Sequence, residues 1–206
     1  MRGFLNAAFT RNPLETASLL DAAIAHPVLG YWFPALQVAV TIDQRGSERL
    51  EESLSAGLAP GRVYNYLSYG RVMITIPSVS LRRIILKIAT LSLGYEIAVH
   101  VFGMCVHYTK SAGETLVTEL VQCGRELVLQ CNFDHADQGR MLDYHLGEII
   151  NSCFIGCEAS SAATSICHKL KKALLTYKAY PYEYKDLLGS LLRLQPLSVL
   201  TVFIDE

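Results

Sequence analysis

Apolar residues recur every three or four positions along most of the chain, in stretches separated by short breaks of Pro, Gly, Ser or Asp. That period puts an apolar stripe on one face of an α-helix, so the pattern predicts serial amphipathic helices from end to end. Asn12, Pro13 and Glu15 supply a cap, a first-position proline and a first-turn acid, which starts a helix through Ala25 that His26-Pro27 stops. Gly30 and Pro34 divide the apolar run 28–42, so the next helix is read from Pro34, with Trp32 and Phe33 in the turn before it. Ser47 is read as the cap of a short helix through Ala56, ended by Gly57, Pro60 and Gly61. Residues 62–76, RVYNYLSYGRVMITI, fit a helix or a small hairpin, because tyrosines and β-branched residues surround a central Ser-Tyr-Gly.

Beyond Pro77 the stripes sharpen. Leu81, Ile84, Ile85, Ile88 and Leu91 share one face, opposite Arg82, Arg83 and Lys87. Ser92-Leu93-Gly94 connects to a second helix ending near Tyr108. Ser111-Ala112-Gly113-Glu114 is read as a capping box opening the next helix, and Asp134 as the cap of a further one with the stripe Leu142, Leu146, Ile149, Ile150, Cys153 and Cys157. Another turns Ala163, Ile166, Leu170, Ala173, Leu174 and Tyr177 inward and His168, Lys169, Lys171 and Lys172 outward, and Pro181 and Pro196 each open a short final helix. Short connectors make sequence neighbours into packing neighbours. The expected fold is all-α, antiparallel helical hairpins stacked as a short irregular α-solenoid in one domain over 1–206, with a sub-boundary near 77 or 109–113.

With 51% hydrophobic residues and a mean hydropathy of +0.27, the chain must cover much apolar surface, in a large core or against a partner. The net charge of -1 gives neither half a polyanion-binding character, so nucleic acid is not the expected partner. Charged and histidine residues interrupt the most apolar stretch, 84–108, so no membrane span is expected, and 1–13 lacks the continuous apolar core of a secretory signal. All six cysteines lie in the second half, mostly on apolar faces, as small hydrophobes do in a reducing compartment, which points to the cytoplasm.

Candidate chemistry is sparse. Glu96 and His100, at i and i+4, could together ligate a divalent metal, with His107 too far along to join them. Asp134, His135, Asp137, Asp143 and His145 form the densest acid and histidine cluster, although Asp134 and Asp137 are better explained as first-turn acids. These residues define a metal-dependent hydrolase as one alternative. Arg82, Arg83 and Lys87, with Lys169, Lys171 and Lys172, define a helical nucleic-acid binder as another, through phosphate contacts. No phosphate-binding glycine loop and no nucleophile elbow occurs, and no cofactor is expected.

The chain closes on LSVLTVFIDE, an apolar helix without a polar outer face. A solenoid needs polar caps at its ends to stay soluble, so this helix is expected to dock a protein partner or a second copy. Leu197, Leu200, Val202 and Phe203 are the candidate surface, with Trp32 and Phe33 as a further one. The proline-opened helices at Pro34 and Pro196 and the paired stripes at 84–91 and 97–105 resemble, in architecture, the HEAT and armadillo class of helical repeats. The texture is similar to the helical arrays of large bacterial signalling and defence proteins. That resemblance implies a non-enzymatic interaction or scaffold module, a fragment or relative of a larger protein.

Overall fold

The computed structural model describes residues 2–133 and 140–204, all of whose regular elements are helical. They form stacked antiparallel helices, as the stripes require, in two compact units, 1–101 and 102–206. In the first unit, α1 (Arg2–Arg11), α2 (Pro13–Ile24), α3 (Phe33–Gln37) and α4 (Gln44–Ala56) precede two 3-10 segments, Gly61–Ser68 and Val72–Thr75, and α5 (Ser78–Ala89). The division falls inside α6 (Gly94–Ser111). The second unit continues with α7 (Thr118–Leu129), α8 (Arg140–Cys153), α9 (Ser160–Leu175), a 3-10 turn Pro181–Tyr184, α10 (Lys185–Leu194) and α11 (Pro196–Ile204).

Each unit has two helical layers. In the first, α4 packs on α2 and α5 on α4, while α3 lies against the 3-10 segment 61–68. In the second, α7, α9 and α11 pack side by side in one layer and α8 with α10 in the other. Side chains tie layer neighbours a near-constant distance along the chain. Arg83 pairs with Glu51 and Lys87 donates to Ser55, both 32 residues back. Arg49, 5% exposed, donates from Nε to Asp21 at 2.7 Å and from Nη2 to the Ala17 carbonyl at 3.2 Å.

Helix α2 begins as read, with Asn12 Oδ1 accepting from the Glu15 N–H. Other boundaries differ, for local reasons. Asp43, not Ser47, caps α4, because its carboxylate accepts from the Gly46 N–H at 2.8 Å; Ser47 is buried and donates back to the Asp43 carbonyl. Ser111 to Glu114 closes α6 instead of opening α7. Gly113 has φ +74°, its N–H bonds to the Lys110 carbonyl and that of Glu114 reaches back to Thr109, which is the Schellman ending of a helix. Tyr177 takes the same left-handed place after α9, with φ 56°, so it points outward and is 83% exposed where the stripe had it inward. Cys157, also placed on an inward stripe, lies beyond the end of α8 and is exposed. Residues 61–76 are neither α-helix nor hairpin but two 3-10 segments. Here Gly61 meets Gly94, where an added Cβ would stand 3.2 Å from the Gly94 Cα, so the segment seats against the start of α6. The cap read at Asp134 lies outside the described residues.

The buried end of α8 shows how the stack is sealed. Its last carbonyl, on Cys153, accepts from Nε of Arg125 in α7 at 2.7 Å, and Gln195, between α10 and α11, donates to the Phe154 and Gly156 carbonyls at 2.9 and 2.8 Å. Asp143 of α8 accepts from the Asp186 and Leu187 N–H groups, both at 2.9 Å, and so caps the N-terminus of α10. Burial pushes the Asp143 carboxyl up, and these two donors only partly counter it.

Arg125→Met should leave the Cys153 carbonyl unpaired and lower stability by about 2–3 kcal/mol, read as a lower thermal midpoint. An unchanged midpoint would show that the α8 end does not need that donor. Asp21 contributes to the pH dependence of stability. Hydrogen bonds from Arg49 and then Arg45 hold its carboxyl below the ordinary 3.8, so the folded state binds its proton less well than the unfolded state. The stabilisation is complete above pH 3.8 and is lost as pH falls through the lowered value. Asp21→Asn should therefore cost about 1–2 kcal/mol at pH 7, after screening of the partly exposed carboxylate. The gap to the parent should close in acid; a gap independent of pH would contradict the pairing.

Candidate interaction surface

The metal and phosphate candidates are dispersed or occupied. Glu96 is exposed, and His100 is half-buried with Nδ1 2.8 Å from Asn65 Oδ1; burial holds its pKa down, which favours the neutral ring. Among the described residues no group of three His, Cys, Asp or Glu side chains gathers around a common point. Asp134, His135 and Asp137 lie outside those residues. Burial pushes the thiols of Cys153 up to about 12 and of Cys105 and Cys167 up to about 11, so they remain protonated and poorly nucleophilic.

The basic runs serve the stack. Arg83 is paired with Glu51 and Lys87 bonds Ser55, while Arg82 is partly buried on the same helix. Lys169 donates to the Leu129 carbonyl at the end of α7, and Lys171 to Val202 in the last turn of α11 at 2.8 Å. These amines neutralise the negative ends of neighbouring helices, the local potential least suited to a phosphate. Lys172 stays exposed.

Helix α11 exposes some of the apolar residues named as a candidate surface and buries others. Leu197, Leu200 and Ile204, at i, i+3 and i+7 on α11, are 79%, 45% and 69% exposed. Val202 is a correction: at 3% exposure it faces inward with Val199, on the side of α11 that packs against α9, and Phe203 is half-buried. Covering the three exposed side chains would yield about 3–6 kcal/mol, while association alone costs at least about 4 kcal/mol. This face by itself supports only weak docking.

The early turn gives a larger feature. Phe33 is the second correction. It is fully buried as the first residue of α3, while Trp32 beside it is 46% exposed. The turn is pinned at Gly30, where a Cβ would stand 2.6 Å from the Ile24 carbonyl oxygen and 2.7 Å from Leu58. Trp32 meets Tyr31 edge-on at 5.0 Å, and the Tyr31 hydroxyl accepts a short hydrogen bond from Nη2 of Arg62. Arg62 opens the outer face of the 3-10 segment 61–68. Three residues per turn bring Asn65 directly beyond it, with Tyr66 and Tyr69 on the adjoining edge. Asn65 bonds both Tyr69 and His100, and Tyr66 and Tyr69 sit edge to face at 6.0 Å. Val63, Tyr64 and Leu67 turn inward, with the Tyr64 hydroxyl 3.0 Å from Ser53 Oγ, and so hold the outer face in place.

The sequence pointed to Trp32 alone in this strip. Arg62, Tyr66 and Tyr69 were missed because they lie where neither a period of 3.6 nor one of 2 applies. The apolar Val63, Tyr64 and Leu67 between the breaks at Pro60-Gly61 and Gly70 were the available signal.

A cavity of about 390 Å³ in the second unit borders Arg125, Lys110, Glu114, Ser152 and Glu158. Its basic groups are engaged, Lys110 with Glu148 at 2.9 Å and Arg125 with the α8 carbonyls and Glu158, so it reads as the flank of the α8 cap. No single helix among the described residues is long and apolar enough to cross a membrane. Compared with protein-family profiles, curated proteins and solved structures, the chain matches none of them.

Proposed function

We propose that this chain is a non-enzymatic protein-interaction module of the HEAT/armadillo kind, acting in the cytoplasm, with the strip of Trp32, Tyr31, Arg62, Asn65, Tyr66 and Tyr69 as its main contact surface. The observation that carries this reading is a pair of neighbouring aromatic clusters: Trp32, Tyr31 and exposed Arg62 are joined by a ring contact and a hydrogen bond, and Asn65, Tyr66 and Tyr69, which follow Arg62 along the chain, by another of each. These residue types dominate binding energy at protein interfaces, where rigid aromatic rings give large contact area at small entropic cost. The weak α11 face serves as an accessory site. The buried free thiols accord with a reducing compartment.

Affinity capture from an extract of the source cells tests the reading. A Trp32→Ser, Tyr66→Ser double variant should lose the proteins that the parent retains, with the same helical circular dichroism as the parent. A Leu197→Ser, Ile204→Ser variant should retain most of them. Equal sets of captured proteins from the parent and the strip variant would refute the assignment of the surface.

A further inference from the structure

Resting on the interaction-module reading, we infer that the strip recognises a segment of a partner protein that carries an aspartate or glutamate beside an apolar side chain, with Arg62 receiving the carboxylate.

Arg62 differs from the other well-placed arginines of its unit. Arg45 and Arg49 are bound to Asp21, and Arg83 to Glu51. Arg62 is exposed, and its hydrogen-bond partner among the described residues is a neutral phenol, the Tyr31 hydroxyl. That bond occupies Nη2 and restrains the guanidinium without neutralising it. A guanidinium presents its donors as a planar fork that matches a carboxylate, and one already held in position loses less entropy on pairing. Tyr31, which holds it, and Trp32 place rings on the turn side, and Tyr66 and Tyr69 follow Arg62 along the chain.

Charge decides between a protein and a nucleic acid. Aromatic rings with arginine also suit stacked bases. A polyanion, however, needs several cations to release its counterions, and this strip offers one fixed guanidinium. His100 is held toward its neutral form, and Glu96 lies one helical turn before it on α6, exposed and of the wrong sign for a phosphate chain. One acid flanked by apolar side chains fits this arrangement; a phosphate backbone does not. Half-exposed Leu29 and Leu58, the latter packed at Gly30, extend the apolar margin beside Tyr31.

The probe is a random 12-residue peptide library, displayed against the full chain, with the best binders resynthesised acetylated and amidated so that only side-chain carboxylates remain. Trp32 is the sole tryptophan, so its emission reports binding at the strip directly. The selected peptides should carry Asp or Glu next to an aromatic or branched residue and shift that emission. Changing the acid to its amide, or Arg62→Gln, should weaken binding about tenfold or more, and the two changes together little further. Tyr69→Ser supplies a second variant of the same surface, and Leu175→Ser, at an exposed leucine of α9, should leave binding unchanged. Selected peptides without an acid, or affinity indifferent to Arg62→Gln, would overturn the inference. So would a salt-sensitive Trp32 response to a thymidine oligonucleotide with none to the peptides. If peptide recognition fails while protein capture still depends on Trp32 and Tyr66, the acidic chemistry is wrong and the interaction surface stands. If both fail, the interaction reading falls as well.

Discussion

A helix end packed among other helices cannot reach water, so its free carbonyl and N–H groups must find partners within the protein, and this constraint shapes the second unit. The end of α8 carries buried Cys153 and Phe154, whose carbonyls are met by Arg125 and Gln195. Asp143 meets the start of α10, Lys169 the end of α7 and Lys171 the last turn of α11. Each of these side chains belongs to a different segment from the end it closes. A hairpin of this unit taken alone would therefore leave buried polar groups unpaired, and stacking supplies the missing partners as well as the apolar contacts.

The first unit meets the same demand with a different balance. Its layer of α2, α4 and α5 is joined by ion pairs and hydrogen bonds from arginine and lysine to residues one helix back. Its other layer breaks the α-helical pattern. Gly61 lies tight against Gly94, where an added Cβ would stand 3.2 Å from the Gly94 Cα, and the chain passes as a tight 3-10 segment with its aromatic residues divided between core and surface. The helical stack thus carries a face of rings where a regular second-layer helix would stand.

Helix identity was legible wherever a stripe was long and a cap was unambiguous. The apolar faces of α5, α8 and α9 were read correctly over most of their lengths, as were the starts at Pro13 and Pro196. Ambiguity arose where one residue pattern serves two opposite purposes. Ser-Ala-Gly-Glu spells a capping box, yet with the glycine at positive φ the same letters end a helix. Ser47 and Asp43 are four residues apart, and the carboxylate took the cap. Periodicity also says nothing of where a helix stops, which is why Tyr177 and Cys157 were carried inward on stripes that had already ended. Of the candidate surface, Trp32, Leu197 and Leu200 were visible and Phe33 and Val202 misassigned, because a burial pattern depends on which neighbour lies on which side. The pairing of Tyr31 with Arg62 spans 31 residues, and no local signal contains it.

The central functional claim is that the turn at 30–32 and the segment 61–68 together form the contact face. Amide hydrogen exchange of the full chain, with and without its best-binding selected peptide, tests this most directly. The account predicts slower exchange confined to 29–33 and 61–70 on binding, with 196–204 unchanged. Protection appearing in α11 and absent from those two segments would contradict it.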